Sequence, residues 1–102
     1  MLRSSNIPTS IRWRLVPHAN LYWKLFDDQY VVYNDGSGHT HVLDPIAALL
    51  IQQLTERSSE TRELVQRIAF LLNLEATEDL HAELERTLWQ LDELFLVESV
   101  TS

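Results

Sequence analysis

Two histidines, His39 and His41, alternate with Thr40 along the run HTHVL. On an extended chain, residues two apart share a face at a separation of about 7 Å, close enough to serve one metal ion. A zinc site needs a third donor, and no local spacing brings His18, His81 or Asp44 to the pair. The two imidazoles are therefore expected to flank the mouth of a hairpin. Glu78 and His81 make one Glu-x-x-His unit, whereas di-iron chemistry in a helical bundle uses two such units and two further carboxylates. Gly36-Ser37-Gly38 has the glycines of a phosphate loop but is followed by strand-forming residues instead of a helix N-terminus, which makes it a turn. Asp27-Asp28 has no histidine or nucleophile in register for acid–base work. Cysteine is absent, which removes thiolate nucleophiles, thiolate metal sites and disulfides together. The expectation is a protein that is not an enzyme and uses no cofactor and no metal, so binding is the chemistry left to consider.

The elements that would position such a site are legible in the first half as strands. Residues 11–16 alternate Trp13 and Leu15 with Arg12 and Arg14 before Pro17 ends the run. Residues 21–26 (LYWKLF) form a second candidate. Residues 30–34 (YVVYN) and 39–43 (HTHVL) flank the only two glycines of the chain and predict a hairpin. With a four-residue loop, Asn34 stands opposite His39, Val32 opposite His41 and Tyr30 opposite Leu43. Val31, Tyr33, Thr40 and Val42 share the other face, so neither face is wholly polar.

The second half reads as helix. Asp44-Pro45 supplies an N-cap acceptor and a proline at the first helical position, followed by Ile46, Leu49, Leu50 and Leu54 at helical spacing. Ser58 or Ser59 is expected to cap a second helix with a stripe of Leu64, Ile68, Leu71 and Leu72, ending at a left-handed Asn73. Thr77 caps a third, over which Leu80, Leu84, Leu88, Leu91 and Phe95 form a stripe, with Trp89 about 100° off it at the core edge or a groove. Residues 96–98 suggest a short closing strand. One domain is expected over residues 11–98, with residues 1–10 a flexible start and 99–102 a tail.

Charge narrows the partners. Eight Lys and Arg stand against fifteen Asp and Glu, a net charge of −7. Residues 1–55 sum to zero, so the whole excess lies in residues 56–102. Such a half repels phosphate, which argues against nucleic acid and anionic membrane and is compatible with solubility or with steering of a basic partner. The longest apolar run, residues 46–51, is far short of the ~20 residues of a membrane span, and the first ten residues lack the apolar core of a signal peptide. A soluble, cytoplasmic protein is expected.

The order of hairpin, Leu-Asp-Pro helix start and three helices resembles the PqqD family of peptide-binding modules, also described as RiPP recognition elements. The resemblance is carried by YVVYNDGSGHTHVLD (residues 30–44), IAALL (46–50), Glu63-Leu64-Val65 and Leu88-x-x-Leu91-x-x-Leu94. With Trp13-Arg14-Leu15 at the start, it is similar to the branch found beside an HPr-kinase-like protein. The resemblance implies an α+β, winged-helix-like fold, a three-stranded antiparallel sheet followed by three helices. It implies a non-catalytic adaptor that binds a precursor (leader) peptide by strand addition and presents it to a modifying enzyme. The guest would lie along His39, Thr40, His41, Val42 and Leu43, facing Glu83, Leu84, Thr87, Leu88 and Leu91 of the third helix. Two places depart from the family pattern: Arg57-Ser58 and Phe95-Leu96-Val97 stand where glycines are usual. Two alternatives remain. A winged-helix nucleic-acid-binding regulator would need a basic recognition helix, while the third helix carries six acids against Arg86. An interaction domain that only homodimerises would use the exposed strand edge or the aromatics for a twofold contact.

Overall fold

The computed structural model describes residues 11–17, 21–27 and 29–100 of the chain. Along it run β1 (Arg12–Leu15), β2 (Leu21–Phe26), β3 (Gln29–Asn34), β4 (His39–Leu43), α1 (Pro45–Glu56), β5 (Ser59–Glu60), α2 (Thr61–Leu72), α3 (Glu78–Glu93) and β6 (Val97–Val100). The fold is α+β, but its strands form two antiparallel sheets of three, in the orders β5-β1-β6 and β2-β3-β4. The expected single sheet followed by helices thus divides. β1 stays apart from the hairpin and pairs with two strands from the helical half. Its side chains explain why. Trp13 is completely buried, and its indole Nε1 donates to Thr61 Oγ1 at 2.9 Å, while that hydroxyl donates to the Ile11 carbonyl at 3.1 Å. A buried indole N–H needs an acceptor, and this one lies on α2.

The β5-β1-β6 sheet, here the terminal sheet, is also stitched from outside. Arg14 meets its register partner Glu98 at 2.6 Å, and Arg12 lies 3.6 Å from Glu60 and 3.9 Å from Glu63. β6 continues through Ser99 and Val100, which pair with Trp13 and Arg12, so ordered pairing runs two residues beyond the expected boundary at 98. Residues 1–10, the expected flexible start, lie outside the described residues, as do His18 and Asp28.

The β2-β3-β4 sheet, here the meander, follows the expected hairpin register, with Asn34 opposite His39, Val32 opposite His41 and Tyr30 opposite Leu43. Asn34 closes the loop. Its buried side-chain Oδ1 accepts from Gly36 N–H at 2.8 Å and Ser37 N–H at 3.3 Å, and its carbonyl accepts from Gly38 N–H at 2.7 Å. Gly38 has φ +79°, a conformation that suits glycine.

The helices begin and end largely where local chemistry dictates. Asp44 Oδ1 accepts from Ala47 N–H at 2.8 Å and Thr77 Oγ1 from Leu80 N–H at 3.1 Å. Neither serine caps α2. Its N-cap is Glu60, whose N–H donates to the Glu63 carboxylate at 2.8 Å, while Ser59 is drawn into pairing with Trp13 and accepts from the Arg67 guanidinium. At the other end Asn73, with φ 58°, takes the left-handed position; Leu74 N–H bonds back to the Ala69 carbonyl at 2.8 Å. Leu71 and Leu72 in the last turn of α2, and Leu74 after it, are exposed, so the lower part of the expected stripe lies at the surface and Val65 and Ala69 complete the core. α3 ends in the same way. Phe95 has φ 62°, its N–H bonds to the Asp92 carbonyl at 3.0 Å, and Leu96 N–H to that of Leu91 at 3.0 Å. The helix ends at Glu93, and Phe95 itself adopts the left-handed turn. It therefore leaves the stripe and is 69% exposed, while Leu96 and Val97 enter the core.

Candidate functional site

Five residues of β3, Tyr30 to Asn34, and the five of β4 run in continuous register with no bulge, and β2 lies on the other side of β3, so β4 is an edge strand. Natural edges are guarded by Lys, Pro, bulges or inward charges. β2 carries Lys24 at its centre; β4 carries none of these. Leu43 is buried, His41 is half-buried, and His39, Thr40 and Val42 are exposed, Val42 at 61%. The inner face of the meander sets Trp23, Val32 and His41 in one cross-strand row, and the outer face sets Tyr22, Tyr33 and Thr40 in another. Tyr22 and Tyr33 lie with ring centroids 6.2 Å apart and both are exposed. That pair follows from laying LYWKLF against the hairpin register, which the strand periodicity alone does not impose.

His39 and His41 sit edge to face with centroids 6.2 Å apart. Burial, helped by the neighbouring imidazole, holds the His41 pKa below the ordinary histidine value. Its Nε2 is buried and has no hydrogen-bond partner among the described residues. Among the described residues no three metal-ligating side chains gather.

The helix half of the expected groove is only partly available. Leu84, Leu88 and Leu91 are at most 2% exposed. They are the apolar stripe of an otherwise acidic helix and are committed to the core, so they cannot line an open slot as expected. Glu83 is exposed and Thr87 half-buried; the Thr87 hydroxyl donates to the Glu83 carbonyl at 3.0 Å. β4 packs on β3 and α1, whereas α3 packs on α1, α2 and β6, which makes α1 the element they share. Trp89, 43% exposed, stands edge-on to Trp13 with centroids 4.8 Å apart, and so caps the core at the terminal sheet.

Glu78 and His81 do come together, in a surface cavity of about 450 Å³ between α2 and the start of α3, with Arg62, Gln66 and Glu85 also on its walls. Charges of both signs line it, and no set of donors converges there. No protein-family profile, no curated protein and no solved structure matches this chain. No described helix is long and apolar enough to cross a membrane.

Proposed function

We propose that the chain is a non-catalytic peptide-binding adaptor of the PqqD type, winged-helix-like in outline, that acts in the cytoplasm and takes up a precursor (leader) peptide as an added strand on β4 for a modifying enzyme. The observation that supports it most directly is the bare β4 edge: five residues without a charge, proline or bulge, on a sheet whose opposite edge carries Lys24. Strand addition draws affinity from unpaired main-chain groups and specificity from alternate side chains. Here a guest would extend the row Trp23-Val32-His41 on one face and Tyr22-Tyr33-Thr40 on the other. Of the residues expected on α3, Glu83 is exposed and Thr87 half-buried.

The test is an NMR titration of the labelled protein with a synthetic copy of a precursor peptide encoded beside its gene. Amide shifts should gather on residues 39–43, with a second group near Glu83 and Thr87. Shifts confined to Trp13, Arg14 and Trp23 would place the site elsewhere and defeat the reading. Proline at 40 or 42 and proline at 41 remove N–H groups that point to opposite sides of the strand. One parity should abolish capture with the fold intact by circular dichroism, and the other should break the β3–β4 ladder. The nucleic-acid alternative meets α3 with Glu78, Asp79, Glu83, Glu85, Asp92 and Glu93 against Arg86. Duplex DNA at moderate salt should accordingly leave the anisotropy of a labelled duplex unchanged.

A further inference from the structure

Of the two imidazoles on β4, His39 is exposed and His41 half-buried on the inner face of the meander. We propose that capture of a guest on β4 expels a proton from His41, so that the edge holds its guest in neutral solution and releases it in mild acid. The inference rests on strand addition at β4 and adds the condition to which that strand responds. A neutral imidazole carries one N–H and one bare acceptor nitrogen, whereas the imidazolium donates from both nitrogens. His41 Nε2 is buried with no hydrogen-bond partner among the described residues. The neutral ring leaves a bare nitrogen there; the charged ring puts an N–H where no acceptor waits, which costs far more.

The groups around the ring offer the charge no relief. On β3, Val32 stands directly opposite, with Tyr30 and Asn34 on either side of it on the same face. On β4 the neighbour on that face is His39, its ring centroid 6.2 Å away, where a second positive charge repels the first. α1, on which β4 packs, has no titratable side chain between its Asp44 cap and Glu56 at its last position, and Asp44 Oδ1 is turned to the Ala47 N–H. Lys24 lies in the outer row with Val31 and Val42, and Asp27 and Asp35 are exposed in the connections between strands. Burial first and His39 second act on the ring, both toward the neutral form. A guest strand sets a side chain about 4.5–5.5 Å, Cβ to Cβ, from that of His41 and takes water from the half of the ring that still has it. The charged form loses more by this than the neutral one, so guest and proton oppose each other reciprocally. The same geometry sets a preference in the guest. Its side chain opposite His41 extends the row Trp23-Val32-His41 and is uncharged; a carboxylate there would hold the proton and reverse the sign.

The test is the affinity of the synthetic precursor peptide between about pH 7.5 and 5.5, read by anisotropy and by calorimetry, with circular dichroism following the fold over the same range. Kd should be level at the upper end and rise as pH falls below about 6.5, by up to about tenfold per pH unit. Near pH 6 the heat of binding should differ between buffers of high and low ionisation enthalpy, in the direction of a proton released. His41→Gln should flatten both dependences, whatever its own affinity, and His81→Gln, the same change on α3, should leave them in place. A level Kd across the range overturns the inference, as does a dependence that survives His41→Gln or is lost in His81→Gln. So does an NMR titration in which the His41 ring of the free chain takes up its proton at or above the ordinary 6.5. Guest shifts on residues 39–43 with a level Kd would sink the proton coupling and leave strand addition standing; a peptide that produces no shift on β4 would remove both.

Discussion

The terminal sheet joins side chains 48 and 84 residues apart, through Trp13 to Thr61 and Arg14 to Glu98. The meander joins strands that follow one another directly, through a turn at Asp27 and a loop closed by Asn34. In the first, a strand of four residues is clamped between two partners and centred on a fully buried indole. In the second, five residues of β3 are clamped between β2 and β4, while β4 keeps one side open. The difference separates two tasks. Non-local closure secures the core, and the sheet that needs no distant partner is left with backbone groups to offer.

Substitutions should widen that contrast in graded steps. Trp13→Ala removes the buried centre of the terminal sheet and the partner of Thr61 Oγ1, and is expected to cost about 3–5 kcal/mol. Val32→Ala, equally buried in the meander, should cost roughly 1–3 kcal/mol. Urea midpoints for the two variants check this, and equal losses would erase the distinction between the sheets. Phe95→Gly should stabilise by about 1 kcal/mol by releasing a non-glycine residue from the left-handed region. The gain should appear as a higher denaturation midpoint at unchanged slope. Arg14→Ala breaks a largely exposed pair with Glu98 and should cost less than about 1 kcal/mol, a loss that fades in high salt.

The smallest effect expected is a pH slope in the meander. The His41 pKa is depressed by burial and then by His39, so between that value and the ordinary 6.5 the folded protein binds fewer protons than the unfolded chain. Its contribution to stability is complete above about 6.5 and is lost as pH falls through the folded pKa. His41→Gln should flatten that limb of a thermal-midpoint profile. A second decline below 4.5 belongs to the terminal region, where the Glu60 N–H, opposed by some burial and aided by Arg12, holds the Glu63 carboxyl down.

Most local signals are readable in the chain and distant ones are not; the α2 cap is a local exception, because Ser59 is taken by pairing with Trp13 and Glu60 becomes the N-cap. The hairpin register, the caps at Asp44 and Thr77 and the left-handed Asn73 all depend on residues within a few positions of each other, and each is where the sequence predicts it. The partners of β1 depend on an indole finding a hydroxyl on α2 and on a strand after α3, which no window around Trp13 contains. Phe95 was misplaced for a related reason. Its spacing continues the leucine stripe, but burial of Leu96 and Val97 turns the chain one residue early. On the candidate site, β4 is legible as a strand from the hairpin pattern, whereas its place at the edge depends on β2 pairing with the far side of β3. The commitment of Leu84, Leu88 and Leu91 to the core follows from the packing of α3 on α1, α2 and β6, information absent from its own periodicity.

The pairing of β1 with β6 also sets an order of events. Loop closure over a long separation is entropically slow, whereas a meander and single helices form from neighbours. β2, β3 and β4 can assemble while α3 is still being made, but Trp13 has no complete pocket until Leu96 and Val97 have left the ribosome. During synthesis the bare edge of β4 therefore exists before the core that stabilises it, and a nascent chain is exposed to strand exchange on β4 for as long as β6 is missing.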